Sequence, residues 1–375
     1  MPRGSRGPKL WARAHGWARP DRITEERVQL TASWRWREAR RLAPVVAALG
    51  IGVLSLAPAA LARDGHYYDG DQAPKDVDKR HFLKMYKVER HLDLEDTEFK
   101  TVKVTCTDPH DLATDGMWRI DHVDQDDHGN QPLADIDVYS SYSDPDDPAT
   151  YVFEIYNNAE GRAQMKLFLT CLGWKTEPNS HQHKWALKKP WRYFDYSRPL
   201  GQDAFGSPAD ECGKRALAVS PGYEWRKGFG ELYRSSAIDG DLRGWEWGFF
   251  VTLLDEFTGD AQVRVSLRCL KVRSSKSDGH RHDIVRAFRP SFPPPFTKVP
   301  AETTDTYTRS CGLHEKGMVH SFDLDPEHHG QNVWYLGQDP RLRDRAYRVR
   351  NDNTWPVWVQ FGAVCFNDRT GRKEH

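Results

Sequence analysis

Three stretches of this chain end in the same way, and that repetition constrains the fold more than any other feature. Each stretch alternates apolar and polar residues and closes on a cysteine: "AQMKLFLTCL" at 163–172, "AQVRVSLRCL" at 261–270 and "VWVQFGAVCF" at 357–366. Alternation over this length predicts a β-strand with one buried face. One pattern in three copies predicts that the same supersecondary unit is built three times.

The residues that precede each stretch repeat as well. Turn-forming clusters surround Asn157, Asp255 and Asn351, and strand-like runs come before them ("YVFEIY", "GFFVTLL" and "AYRVR"). Two such runs joined by Asn, Asp or Gly are typical of a β-hairpin, so we expect a hairpin at the end of each repeat. Because no long helical period interrupts these short strands, we predict an all-β fold, a tandem array of three small β-sandwich domains.

The six cysteines fit the same repeats. Six cysteines allow several pairings, and the alignment of the repeats favours the one that gives each unit its own bridge. Each unit is small for an independent hydrophobic core, and a disulfide compensates for that. The predicted bridges are Cys106–Cys171, Cys212–Cys269 and Cys311–Cys365.

The N-terminal 62 residues predict export. The apolar run "LAPVVAALGIGVLSLAPAALA" at 42–62 follows several arginines and ends in small residues, as a secretory signal peptide with a long n-region does. The alternative is a transmembrane anchor, because about 20 apolar residues can span a bilayer. Cleavage would leave a secreted, extracellular or periplasmic chain without a transmembrane span. An oxidising compartment suits the paired cysteines.

The whole chain has 54 basic and 54 acidic residues, but the charge is unevenly distributed. Residues 1–62 carry 11 Lys and Arg against 4 Asp and Glu, which leaves 43 basic and 50 acidic residues in 63–375. A net negative mature chain argues against a nucleic-acid partner, which would require a basic face.

Composition divides the rest of the chain into repeats and connecting segments. We expect a charged lead-in, partly helical or disordered, at 63–97 and Pro-rich linkers at 188–208 and 289–304. The repeats are predicted at 98–187, 209–288 and 305–375.

The repeat resembles units of exported bacterial surface proteins. The resemblance is carried by an opening Cys, a Gly-aromatic pair, a turn with Asn, and a closing "CL" followed by His-x-His. The segments "DGMWRIDHVDQ" (115–125) and "YLGQDPRLRDRAYRVRND" (335–352) are similar to signatures of the same group. The resemblance implies a secreted β-repeat protein and carries over no biochemical activity.

Two histidine pairs are the first candidates for metal ligands. His181 and His183 follow the first repeat's closing cysteine, and His280 and His282 follow the second's. Residues two apart on a strand point to one face, where two imidazoles can chelate Zn, Cu or Ni. The alternative is a polar loop with local hydrogen bonds. The third copy has no His-x-His before the chain ends.

An acidic segment, "DQDDHGNQPLAD" at 124–135, partly matches a calcium loop. Asp124, Asp126 and Asp135 stand at the first, third and twelfth positions. A histidine at the fifth position and Asp in place of the bidentate Glu weaken the match, and a solvated acidic loop is the alternative.

Aromatic residues cluster after the first repeat, among them Trp185, Trp191 and Tyr193. Such rings can stack on a glycan or dock a protein, although packing between the first two repeats accounts for them as well.

Motifs of common enzymes are absent, including GxSxG, HExxH and phosphate-binding loops. We therefore predict no catalytic residues and no cofactor apart from a divalent metal. The expected function is a non-enzymatic secreted or cell-surface module with an interaction or structural role, its partner a protein or a surface glycan. The alternatives are a carbohydrate- or metal-binding module and a secreted hydrolase whose site lies between repeats.

Overall fold

The computed structural model describes residues 81–125, 133–177, 183–185, 192–200, 205–238, 242–277, 279–289, 296–324 and 332–373. The segment Ala62–His375 forms one compact unit. The predicted signal peptide lies outside the described residues. No helix among the described residues is long and apolar enough to cross a membrane.

The predicted all-β class is confirmed: apart from a 3-10 turn at Leu133–Asp135, the named elements of the described chain are strands. The first repeat contributes β1 (Phe82–Leu94), β2 (Phe99–Thr105), β3 (Leu112–Val123), β4 (Ile136–Ser143), β5 (Thr150–Asn157) and β6 (Ala163–Glu177). The second contributes β7 (Arg192–Leu200), β8 (Phe205–Gly206), β9 (Ala209–Glu211), β10 (Ala216–Lys227), β11 (Phe229–Ala237), β12 (Gly244–Leu253), β13 (Ala261–Lys271) and β14 (Arg281–Asp283). The third contributes β15 (Arg286–Arg289), β16 (Thr297–Val299), β17 (Thr303–Ser310), β18 (Glu315–Asp323), β19 (Val333–Pro340), β20 (Asp344–Asn351), β21 (Val357–Asn367) and β22 (Gly371–Lys373).

The repeats share their sheets. One sheet runs β1-β6-β3-β19-β20-β17, the next β7-β13-β10-β4-β5-β2, and the third β15-β21-β18-β11-β12-β8, with β16 and β9 pairing at its flanks. In every sheet, one half comes from one repeat and the other half comes from a neighbouring repeat. The third repeat also pairs with the first, at Gly337 and Arg119, so the repeats close a ring with pseudo-threefold symmetry.

This arrangement differs from the predicted array of sandwich domains in a row. The boundaries drawn for the repeats stay a prediction, but the sheets cross them. One hydrophobic core contains residues of all three repeats, for example Leu167, Val265 and Val364. Sharing the sheets lets three units, each small for a core of its own, bury their apolar faces together.

The closing hairpins predicted at the end of each repeat are wrong. The strands exist, but β5 and β6 belong to different sheets, as do β12 and β13, and β20 and β21. At the turns of the first and third repeats, a buried Asn (Asn157 or Asn351) accounts for the change of direction. Asn157 is buried, and its Nδ2 donates to the carbonyl oxygens of Glu95 and Gly161. A side chain that bonds nearby backbone replaces the ladder that a hairpin would provide.

The three predicted disulfides are confirmed, and each of them joins two different sheets. Cys106 directly follows β2 while Cys171 lies in β6; the other bridges repeat this placement. The remaining bridges are Cys212–Cys269 and Cys311–Cys365. Three disulfides indicate an oxidising compartment.

Segments predicted as lead-in and linkers supply strands. Residues 82–94 of the lead-in form β1 rather than a helix or a disordered segment, and β7 and β16 lie within the predicted linkers. Each pairs with the closing strand of its repeat, β6, β13 or β21. The closing strands therefore have a hydrogen-bonded neighbour on each edge. In their second halves, residues of both faces are buried.

Strand β13 shows the consequence. Val263, Val265 and Leu267 are buried as the alternation predicts, but Ser266 and Arg268 on the other face are buried too. Arg268 Nε donates to Ser143 Oγ at 2.6 Å. Burial lowers the pKa of Arg268 to about 10.

Candidate metal centre

Four buried histidines form a cluster at the end of the fold where β6 and β13 finish. They are His81, His183, His280 and His282, and each offers one nitrogen such that all four nitrogens lie within 4.8 Å of one another. The exposed fractions are 9% for His81, 8% for His280 and zero for the other two. Four ligand atoms so close together can share one metal ion, so the cluster is the strongest candidate site in the described chain.

The three repeats build this cluster in the same way. A buried Ser or Thr lies five residues after each closing cysteine. Its hydroxyl accepts a hydrogen bond from the backbone N–H of a histidine, and its own backbone N–H donates to the carbonyl oxygen of the same histidine. The N–H to hydroxyl distances are 3.1, 2.9 and 3.2 Å in the three copies. The pairs are Thr176 with His183, Ser274 with His282, and Thr370 with His81.

His81 therefore occupies the position that the third repeat leaves open. The third copy has the hydroxyl, Thr370, but its histidine comes from the residue that precedes β1. Backbone bonds from Leu83 to Asp368 and from Thr370 to His81 hold the start of the described chain against its end. The ring of repeats is closed at this site by pairing of the two terminal segments.

The distances between the imidazole rings distinguish three histidines from the fourth. The centroids of His81, His183 and His282 are 5.0, 4.5 and 4.4 Å apart, which is close to an equilateral triangle. His280 lies 4.8 Å from His183 and 5.1 Å from His282 but 6.3 Å from His81. The centre thus consists of a pseudo-symmetric triad of imidazoles and a fourth imidazole that approaches from one side.

Hydrogen bonds to Nδ1 orient two of the rings. His183 Nδ1 lies 3.2 Å from the carbonyl oxygen of Ser275, to which it can only donate. His282 Nδ1 lies 2.6 Å from Thr370 Oγ1. The carbonyl contact fixes the tautomer of His183 and makes Nε2 its ligand atom, whereas the Thr370 hydroxyl can donate to or accept from His282 Nδ1 and holds that ring in place.

The donor set suits a borderline transition metal. Four neutral imidazoles are typical ligands of Zn, Cu or Ni, whereas Ca²⁺ and Mg²⁺ require oxygen. Zinc bonds histidine nitrogen at about 2.0–2.1 Å, so that nitrogens at the corners of a tetrahedron are about 3.3 Å apart. Side-chain rotations that draw the nitrogens together from within 4.8 Å would complete such a site.

The structure brings together three of the four predicted histidine ligands. His183, His280 and His282 meet in the cluster, while His181 lies outside the described residues. Sequence reasoning missed His81. Its one signal is a histidine immediately before the first strand, and only the ring closure shows that this residue is equivalent to His183 and His282.

The calcium segment gains no support from the described residues. Asp124 Oδ2 accepts the backbone N–H of Arg162, and its Oδ1 lies 3.3 Å from His122 Nε2. Asp135 is exposed in the 3-10 turn. Asp126 lies outside the described residues.

The aromatic residues that were predicted as a binding surface are placed differently by the structure. Trp185 is 4% exposed and belongs to the hydrophobic core, so this residue is a packing residue. Tyr193 pairs with Ser266 through the backbone of β7, and Trp191 lies outside the described residues.

A second buried polar cluster has one acidic, one hydroxyl and one imidazole group, each from a different repeat. His320 Nδ1 lies 2.6 Å from Asp115 Oδ1, and His320 Nε2 lies 2.8 Å from Ser235 Oγ. These contacts match those of a hydrolase triad. The arrangement nevertheless lies in the core: Ser235 is 1% exposed, and its Oγ accepts the Trp245 indole N–H at 3.0 Å.

Charge compensation supports a structural role for this second cluster. Arg345, 1% exposed, places Nη2 3.3 Å from Asp115 Oδ2 and also donates to the Gly317 carbonyl oxygen. A nucleophile needs an approach path for its substrate, and Ser235 has none among the described residues. We interpret the cluster as a polar link between the three repeats.

No protein-family model matches this chain, and no curated protein is detectably similar to it.

Proposed function

We propose that this protein is an exported metal-binding protein that holds one zinc ion between its four clustered histidines. The convergence of His81, His183, His280 and His282 in a buried site carries the proposal. Four protein ligands fill the coordination sphere of tetrahedral zinc, which is typical of structural sites, whereas catalytic sites keep one position open. The role expected from the sequence, a non-enzymatic module, agrees with a closed site.

The metal would secure the closure of the ring. Its ligands come from the segment before β1 and from the tails of the first two repeats, and Thr370 adds the tail of the third. A ligand that binds only the folded chain stabilises it by an amount that increases with the logarithm of its affinity. We therefore propose that zinc holds the terminal segments together after folding.

We further propose that the protein is exported. Three disulfides indicate an oxidising compartment, and the apolar run at 42–62 supports passage through a secretory pathway. The resemblance to exported bacterial surface repeats is consistent with this location. We propose an interaction or structural role at or beyond the cell surface, for which the metal provides stability.

Titration of the metal-free chain with Co²⁺ and Zn²⁺ tests the site. We expect one ion per chain, a cobalt spectrum typical of tetrahedral coordination by nitrogen, and displacement of cobalt by zinc. His183→Ala and His282→Ala should each abolish stoichiometric binding. His91→Ala is the matched control, since the side chain of His91 is 71% exposed on β1.

A variant that keeps all four ligands separates binding from folding. Thr370→Val removes the hydroxyl that contacts both His81 and His282 but retains the shape of the side chain. Loss of an outer-shell partner typically reduces metal affinity about 10–100-fold. Thr114→Val, which removes a buried hydroxyl that donates to backbone carbonyls elsewhere, should leave metal affinity unchanged. Unchanged affinity in both Thr370→Val and His282→Ala would refute the metal centre.

A further inference from the structure

A crevice of about 60 Å³ lies at the end of the fold opposite the histidines. It is lined by the first residues of β4, β11 and β19, which are equivalent strands of the three repeats, and by Trp118 and Ile120 in the second half of β3. Strand β3 runs antiparallel to β6, with Val123 opposite Ala163 and Leu112 opposite Leu172. The second half of β3 therefore lies beside the first half of β6, away from the end of β6 where the histidine cluster lies.

Aromatic rings form much of the crevice wall. Trp118 makes edge contacts with Tyr335 at 5.5 Å and with Tyr223 at 6.3 Å between centroids. Phe229 and Trp334 add further rings to the lining. Aromatic faces carry negative electrostatic potential, so a wall of this kind attracts cations as well as apolar groups.

Among the described residues, the acidic groups of the lining are Asp137 and Glu231, and none of the lining residues is Lys, Arg or His. Asp137 is the more informative of the two, because its side chain is half-buried. No hydrogen bond or ion pair from any described residue reaches its carboxyl group. Its electrostatic neighbours are Asp135, Tyr139 and Tyr223, which are acidic or phenolic. A half-buried carboxylate without a counter-charge is unfavourable, and a bound cation would compensate it.

We propose that this crevice binds a small organic ammonium ion, with its charge against Asp137 and its alkyl groups against the aromatic rings. Aromatic walls with an adjacent carboxylate are the usual surroundings of alkylammonium ligands. A neutral apolar ligand would leave Asp137 uncompensated. A sugar would need several polar partners, and the Tyr223 hydroxyl already donates to the Val138 carbonyl oxygen at 2.9 Å.

Choline and its neutral isostere, 3,3-dimethylbutan-1-ol, test the proposal with the full chain. The two molecules have nearly the same shape, but only choline carries the positive charge. We expect calorimetry and tryptophan fluorescence at pH 8 to show choline binding at least about tenfold tighter than the alcohol. Asp137→Asn should lower choline affinity to that of the alcohol. Asp305→Asn, which removes an exposed carboxyl outside the lining, should leave choline binding unchanged.

The outcomes separate clearly. Equal affinity for choline and the alcohol, or no binding of either, overturns the proposal. Unchanged choline affinity in Asp137→Asn overturns it as well. Circular dichroism and cooperative thermal unfolding of each variant serve as the folding control, because they report an intact fold independently of metal binding.

Discussion

His81 and His282 lie with their ring centroids 4.5 Å apart, and a single hydroxyl contacts both residues. Thr370 Oγ1 accepts the backbone N–H of His81 at 3.2 Å and lies 2.6 Å from His282 Nδ1. The start of the first repeat, the tail of the second and the tail of the third are thus joined through one side chain. A metal at this point would link segments that are far apart along the chain. Without the metal, these segments are brought together by backbone pairing and by the Thr370 hydroxyl.

His280 determines whether the proposed centre is closed or open. This ring stands outside the triangle formed by the other three, 6.3 Å from His81. His280→Ala should retain one metal ion per chain, with affinity reduced at least about tenfold, and should leave a coordination position for water. The cobalt spectrum should change accordingly, and the zinc form should gain slow hydrolysis of an activated ester, because zinc lowers the pKa of bound water.

The comparison variant is His282→Ala, which removes one corner of the triangle and should abolish stoichiometric binding. If His280→Ala had the same cobalt spectrum and affinity as the unchanged chain, His280 would not be a ligand and the site would be a three-histidine centre.

The strands, the three bridges and three of the four clustered histidines could be predicted from the sequence, because each leaves a local signal: alternation, repeated cysteines, His-x-His. The sharing of sheets between repeats leaves no such local signal in the sequence. The pairing of β10 with β4 depends on which apolar edges fit together in space, and strands on either side of a turn look alike whether they pair or separate. His81 was missed for the same reason, since its partner Thr370 is contributed by the other end of the chain.

Removal of Asp115 should destabilise the fold strongly. Asp115→Ala would leave the Arg345 guanidinium buried without its counter-charge, and breaking a buried pair in this way costs about 3–5 kcal/mol. The matched control is Asp339→Ala, since Asp339 pairs with Arg119 nearer the surface, where such pairs contribute up to about 1 kcal/mol. Urea unfolding of both variants measures the difference. Similar losses in the two variants would contradict the role of Asp115 as a link between the repeats.

Deleting one disulfide should weaken the whole ring rather than one repeat. The double variant Cys311→Ser, Cys365→Ser opens a loop of 54 residues between two sheets, which the chain-entropy model equates with about 4 kcal/mol. Because every sheet contains strands of two repeats, we expect calorimetry to show one unfolding transition at a lower temperature. A separate early transition, with native tryptophan fluorescence retained by the first two repeats, is the result that independent domains would give.

Asp137 should make stability and ligand binding depend on pH in opposite directions. Burial, with a smaller contribution from Asp135, raises the pKa of Asp137 to about 7 from an ordinary value of 3.8. The folded chain therefore binds this proton more tightly than the unfolded chain, so the associated stability is fully present below about pH 4 and is lost as the pH rises to about 7. At 1.36 kcal/mol per pKa unit the loss is at most about 4 kcal/mol, and Asp137→Asn should flatten this part of the stability profile.

Choline requires the ionised carboxylate, so its affinity should increase over the same pH interval. Proton release should accompany binding, and calorimetry in buffers of different ionisation enthalpy detects it. If the free energy of unfolding fell between pH 4 and 7 by the same amount in Asp137→Asn as in the unchanged chain, the pH dependence of stability would belong to other groups.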